Sequence, residues 1–266
     1  LSKIIFASPT YGAVEPAAII SQRAAIMHAG NYGHHWVGDA SPDKCTFTVA
    51  RGNIAQCAID SDADYVFWCD SDIVLPQYAI TQLLADKQDF VTGIYFQKVG
   101  EHWPLIANFD SVGKKYNWMV LWPENVVAPI DGCGFGCVLT STKMLRDIKA
   151  MWEREHPVPQ GMTENEIREH ANPWFEFAKF SEDFEFCQRA KRAGYQLHVD
   201  TAVICGHLPP PPAIGFDHFK AKHPEFFGGK QNGNLKQSNG QAGALVLHSE
   251  RECGTIQPES MATLPG

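Results

Sequence analysis

YVFWCDSDIVLP, residues 65–76, is the stretch on which the fold turns. Residues 65–69 are an unbroken apolar and aromatic run, the pattern of a strand buried on both faces. The run stops at two aspartates, Asp70 and Asp72, with one serine between them. Side chains at i and i+2 of an extended segment share a face, so the two carboxylates are expected to converge. Ionised carboxylates that close repel each other unless a cation lies between them, and a hard divalent ion is the natural partner. The plainer alternative is a pair of loop aspartates, one of them capping a helix that Pro76 opens.

Outward from this strand, the first hundred residues alternate between strand and helix. KIIFASPTYG reads as a buried strand that runs into a loop. PAAIISQRAAIMHA, 16–29, reads as a helix with Pro16 in its first turn and Gly30 as its stop. HHWVGDAS gives a second strand ending near Asp39. The next segment places Ile54, Ala55, Ala58 and Ile59 on one helical face, with Arg51, Asn53 and Gln56 elsewhere. FVTGIYF is strand-like again. This alternation predicts an α/β fold: a mostly parallel central sheet, Rossmann-like, flanked by helices, with its chemistry at the carboxyl ends of the strands.

Further along, WPLIANFD and YNWMVLWPENVVAPIDG read as strands with turns. DGCGFGCVLTSTKMLRDIKAM reads as a glycine-rich loop, an apolar strand and a helix from about Thr142. Residues 153–172 are polar and loop-like. SEDFEFCQRAKRAG has Ser181 as N-cap, Glu182 and Asp183 in the first turn where the helix dipole favours carboxylates, and Gly194 just past the end. A strand follows to Cys205, with His207 beyond it. From Gly228 the chain is rich in Gly, Asn and Gln, so one domain over 1–227 and a tail over 228–266 are expected.

The chain has 266 residues, of which 44% are hydrophobic and 20% charged, enough to bury a substantial core. A formal net charge of -8 argues against a broadly basic nucleic-acid footprint. Eight cysteines include no CxxC pair, which fits reduced core cysteines and a cytoplasmic setting. No run of about 18 apolar residues and no signal-peptide pattern is seen, so neither a membrane span nor a leader is expected.

Asp70 and Asp72 after a buried strand, a glycine-rich loop, an ED helix start and a late histidine, in that order, resemble the GT-A glycosyltransferases, in particular the family 2-like group. The resemblance covers most of residues 1–210. It implies a nucleotide-sugar donor, UDP-linked, and a divalent cation, Mn²⁺ with Mg²⁺ as the alternative. It implies Asp70, Asp72 and His207 as metal ligands, and Asp183 as general base with inversion, while Glu182 holds the acceptor. Retaining members of the fold also exist, so the stereochemical outcome stays open. Nucleotide contacts are expected from Pro9, Thr10, Tyr11, Asp39, Arg51, Asn53 and Asp70. Gly134 and Phe135 would line the donor-sugar pocket. Trp174 would either stack on a sugar or serve as a core aromatic.

Three other functions compete. A sugar nucleotidyltransferase shares the sheet type, but its glycine-rich phosphate loop after the first strand is missing, since ASPTYGAVEP has a single glycine. The run ending in Asp70 and Asp72 also resembles the haloacid-dehalogenase phosphatase motif, with Asp70 as nucleophile, but two strand–helix units precede it and no later lysine motif follows. A catalytically inactive nucleotide-sugar-binding protein is the non-enzyme alternative. The acceptor, whether glycan, small molecule, protein or modified nucleic-acid base, is not written in the sequence, and neither is the oligomeric state.

Overall fold

The computed structural model describes residues 1–10, 14–40, 45–157, 161, 172–208 and 215–227. Tyr11, the prolines at 209–212 and the expected tail at 228–266 lie outside the described residues. In chain order the elements begin with β1 (Lys3–Ala7), α1 (Pro16–Asn31), β2 (His35–Ala40), α2 (Phe47–Asp60), β3 (Tyr65–Cys69) and β4 (Ile73–Val74). Then come α3 (Ala79–Ala85), β5 (Phe90–Ile94), β6 (Ile106–Asp110), β7 (Lys115–Trp118), β8 (Val127–Ile130), β9 (Gly132–Cys133), β10 (Cys137–Ser141) and α4 (Thr142–Glu155). The described chain closes with α5 (Glu182–Arg192), β11 (Leu197–Ile204), β12 (Gly206–His207) and α6 (Phe216–Lys222).

The central sheet has seven strands in the order β2-β1-β3-β10-β5-β11-β8. The strands β2, β1, β3, β5 and β11 share one direction; β10 is inserted antiparallel between β3 and β5, and β8 is antiparallel at the edge. The sheet is therefore mostly parallel, as the alternation predicts. Because β2 and β3 flank β1 on opposite sides, the strand order reverses there, and open α/β sheets bind ligands in the crevice beyond such a reversal. Pro9 and Thr10 follow β1 at this crevice, and Asp70 follows β3.

β3 shows why an unbroken apolar run is needed at the centre. Val66 and Trp68 face one core, with Ile54, Phe90, Phe135 and Phe186; Phe67 and Cys69 face the other, with Phe6, Leu83 and Leu139. The period-2 alternation of a strand thus serves two apolar layers, one on each side of the sheet. In the first layer the Trp68 ring meets Phe135 at 5.7 Å and Phe175 at 5.5 Å, and Phe135 meets Phe186 at 4.8 Å. The Trp68 indole N–H donates to Thr140 Oγ1 at 2.8 Å, so its one polar group is satisfied inside the core.

Several boundaries differ from the sequence expectation. α1 runs through Gly30 to Asn31, because Tyr32, not the glycine, closes the last turn. Pro76 opens a turn, with Ala79 N–H donating to its carbonyl, and the helix itself begins at Ala79. Cys57 is exposed on α2 rather than part of the core. Gly194, at φ +92, terminates α5 as expected. Among the described residues no helix is long and apolar enough to cross a membrane.

Replacing Trp68 with Ala removes the shared centre of this aromatic layer and leaves a cavity. Urea unfolding is expected to show a loss of about 3–5 kcal/mol. A loss below about 1 kcal/mol would mean that the layer does not hold the sheet.

Candidate active site

Arg51 organises the crevice. It lies on α2 with its side chain 3% exposed, and its guanidinium reaches three carboxylates. Nη2 donates to Asp70 Oδ1 at 3.0 Å; Nη1 donates to Glu182 Oε1 at 3.1 Å and also to Asp183 Oδ1. The rings of Phe47, Phe135 and Phe175 lie 5.4, 5.5 and 5.8 Å from its guanidinium carbon, close enough for cation–π attraction. Burial by itself disfavours the cation, but the three carboxylates more than compensate and hold its pKa above the usual value.

α5 supplies two of those carboxylates from its first turn. Glu182 and Asp183 sit where unpaired helix N–H groups favour negative charge. Asp183 is held twice, since Oδ1 takes Arg51 and Oδ2 accepts the Phe135 N–H at 3.2 Å. Burial pushes the Asp183 carboxyl up, Arg51 pulls it down, and Glu182 and Asp70 push it up again, leaving it at about 7. A carboxylate tuned there can take a proton near neutral pH.

Asp72 belongs to a separate cluster. The Ile73 N–H donates to the Asp70 carbonyl at 3.1 Å, closing a turn directly after β3. Gln22 Nε2 pins that turn by donating to the carbonyls of Asp70 and Ile73, each at 3.1 Å. The segment is therefore not extended, and the shared face expected for Asp70 and Asp72 does not form. Asp70 turns to Arg51, whereas Asp72 pairs with Lys98 and stands 3.4 Å from His207. Antiparallel pairing of β12 with β4, reinforced by the Leu208 N–H donating to Asp72 O at 2.9 Å, brings His207 there.

Among the described residues no three His, Cys, Asp or Glu side chains are gathered as a metal site. Two of the three expected ligands nevertheless suit one. His207 Nδ1 faces the Phe96 carbonyl at 2.6 Å, so its proton belongs there. That leaves Nε2 facing Asp72 Oδ1, where a proton or a cation between the two satisfies both. Burial opposes ionisation of Asp72, but hydrogen bonds from His207 and Lys98 outweigh it and hold the carboxyl below its usual range.

The remaining expected site residues divide sharply. Arg51 is consumed by carboxylates and is not free for a nucleotide. Asn53 points to solvent from another face of α2, away from Arg51. Asp39 is exposed at the end of β2. Trp174 is 3% exposed and donates its indole N–H to the Leu145 carbonyl at 2.9 Å, so it is the core aromatic and not a sugar platform. The Phe135 ring is wholly buried, and its backbone N–H is what serves the site. The glycine-rich loop makes room for a side chain. A Cβ at Gly134 would run into the Tyr95 hydroxyl, and one at Gly136 would come within 2.7 Å of the Tyr95 ring.

Tyr95 and Lys98 are additions that the sequence did not single out. Tyr95 accepts the Gly136 N–H at 3.0 Å and meets the His207 ring edge-on at 5.4 Å. For the structural role of Arg51 a signal was present. Residues 51, 54, 55 and 58 repeat at the spacing of one helical stripe, so Arg51 lies on the apolar face itself.

Arg51→Met keeps much of the volume but leaves Asp70, Glu182 and Asp183 without their counter-ion. A loss of about 3–5 kcal/mol is expected near pH 8. Asp183 already titrates at about 7 in the folded chain, against 3.8 for an ordinary aspartate, so the folded state binds the extra proton within that window. Without Arg51 the window extends upward, and stability falls as pH rises through it. Thermal unfolding from pH 5 to 8 should therefore show a deficit that shrinks as pH falls. A deficit independent of pH would contradict the charge-balancing role.

No protein-family model matches the sequence, and no curated protein resembles it closely enough to count as a relative. Solved structures do resemble it in fold. A197 from STIV superposes with a TM-score of 0.54 at 17% identity, over 81% of this chain and 91% of that one. GalNAc-T7, solved with UDP, GalNAc and Mn²⁺, superposes with a TM-score of 0.51 at 10% identity, over 79% of this chain and 44% of that one. Identities this low speak to architecture alone, and the architecture is GT-A-like.

Proposed function

We propose that this chain is a glycosyltransferase that moves a sugar from a nucleoside-diphosphate sugar, UDP-linked, to an acceptor hydroxyl. The observation that carries the proposal is Asp183, a carboxylate at about 7, fixed by the Phe135 N–H and by the same Arg51 that holds Asp70 at the end of β3. A GT-A-like neighbour solved with UDP, GalNAc and Mn²⁺ supports the donor class. In this scheme the acceptor O–H gives its proton to Asp183 as its oxygen attacks the anomeric carbon. The bond from that carbon to the diphosphate oxygen breaks, and the electron pair leaves with the nucleoside diphosphate. Direct displacement of this kind inverts the anomeric centre.

The chain's own groups set the conditions. Arg51 and the Phe135 N–H hold Asp183 in one orientation, and Glu182, bonded to the same guanidinium, has a positioning role. Four carboxylates, Asp70, Asp72, Glu182 and Asp183, stand against the two cations Arg51 and Lys98. A diphosphate would be repelled by that balance. A divalent cation on Asp72 and His207, Mn²⁺ in preference to Mg²⁺, would correct it and stabilise the charge growing on the leaving group. Pro9 and Thr10 follow β1 and Asp39 lies near the end of β2, and in this scheme they contact the nucleotide. The phosphatase alternative needs Asp70 as nucleophile, and the hold of Arg51 on Asp70 Oδ1 favours a charge-balancing role for that carboxylate instead.

Asp183→Asn keeps the shape of the site and removes the base. Transfer from the donor sugar is expected to fall by about 10²–10⁴-fold, with donor affinity nearly unchanged. In the unmodified chain the rate should rise with pH through about 7, as Asp183 loses its proton. Transfer that persists in Asp183→Asn would remove this residue from the chemistry. Tight donor binding with no transfer in either protein would favour the binding-protein alternative.

A further inference from the structure

Lys98 lies in the turn between β5 and β6, and its ammonium is bonded to Asp72 Oδ2 while His207 faces Oδ1. The backbone that carries it is fixed. Gln97 N–H donates to Trp103 O at 2.9 Å, and His102 Nδ1 lies 2.9 Å from Gln97 O. From α6 and the residue after it, Lys222 Nζ donates to Gly100 O and His223 Nε2 lies 2.6 Å from Glu101 O. The Trp103 and His223 rings stack at 4.2 Å. The side chain is different. It is 38% exposed, on a four-carbon stem with many rotamers, and Asp72 at 24% exposed is open to solvent as well. The ion pair can therefore open by rotation of one lysine, without movement of the loop.

We propose that Lys98 is a displaceable counter-ion. In the empty chain its ammonium balances Asp72 from Oδ2; when a divalent cation settles at Oδ1, between Asp72 and His207, the two positive charges repel, and Lys98 swings off and pairs with a phosphate oxygen of the incoming diphosphate. The inference rests on the metal-assisted function argued above for the same site. It follows from two observations. Asp72 carries Lys98 on Oδ2 before any ligand arrives while its Oδ1 stands 3.4 Å from His207, and Lys98 is free to rotate, unlike Arg51, which is buried among three carboxylates and three rings.

A structural lysine and an exchanging one predict different results for Lys98→Met. Exchange predicts effects of opposite sign. Calorimetric titration with Mn²⁺ alone should show tighter binding in Lys98→Met than in the unmodified chain, by about three- to tenfold, since the competing ion pair is gone. Titration with UDP in saturating Mn²⁺ should show weaker binding in the variant, by a similar factor. Both affinities falling together, or both unchanged, overturns the proposal. Asp72→Asn is run alongside to separate it from the reading beneath. If Asp72→Asn abolishes Mn²⁺ binding but Lys98→Met leaves it unchanged, only the counter-ion proposal falls. If Mn²⁺ binds none of the three proteins, or binds Asp72→Asn as well as the unmodified chain, the metal site at Asp72 falls, and the counter-ion with it.

Discussion

One buried guanidinium makes the crevice possible. Asp70 comes from the end of β3 and Glu182 and Asp183 from the start of α5, and three carboxylates in a half-buried space repel one another. Arg51 bonds to all three and is itself enclosed by Phe47, Phe135 and Phe175. Its planar fork of donors can serve several carboxylates at once, which a lysine in the same place could not do with the same geometry. The site therefore depends on the aromatic core for its electrostatics. The rings that close the layer above Trp68 also close the box around the cation.

This dependence explains why the two aspartates of the opening stretch part company. Each has a cation of its own. Asp70 is locked to a buried arginine and shapes the environment of Asp183, whereas Asp72 is paired with an exposed lysine and a histidine held by the Phe96 carbonyl. The first cation is buried and the second is open to solvent.

Much of the architecture was legible in the sequence. The apolar run at 65–69 marks a central strand, the strand–helix alternation gives a mostly parallel sheet, and Gly194 marks the end of α5. The site was legible in residue types and much less so in geometry. Convergence of Asp70 and Asp72 assumes an extended segment, and a turn pinned by Gln22, from a helix some fifty residues earlier, replaces it. The burial of Arg51 was within reach, because its spacing to Ile54, Ala55 and Ala58 puts it on the apolar stripe, but a charged residue is easily assigned to the solvent face. The glycine-rich loop suggested a donor-sugar pocket at Gly134, and the group that lies against Gly134 and Gly136 is the Tyr95 side chain. Trp174 and Lys98 could not be placed from sequence, because what each one does is decided by contacts with distant segments, Leu145 for one and Asp72 for the other. The basic residues of α5 are a similar case. Arg189, Lys191 and Arg192 pair separately with Glu176, Asp131 and Glu155, partners that lie outside the helix.

The central claim is that the tip of β3 holds a metal-assisted diphosphate site, and thermal stability tests it most directly. The chain would be heated with each nucleoside diphosphate in turn, with and without Mn²⁺. A ligand at about 100 times its dissociation constant adds about 2.7 kcal/mol to the folded state. The account predicts that UDP raises the melting temperature when Mn²⁺ is present and has little effect without it. Equal stabilisation by UDP with and without Mn²⁺, or none from any nucleoside diphosphate, would contradict it.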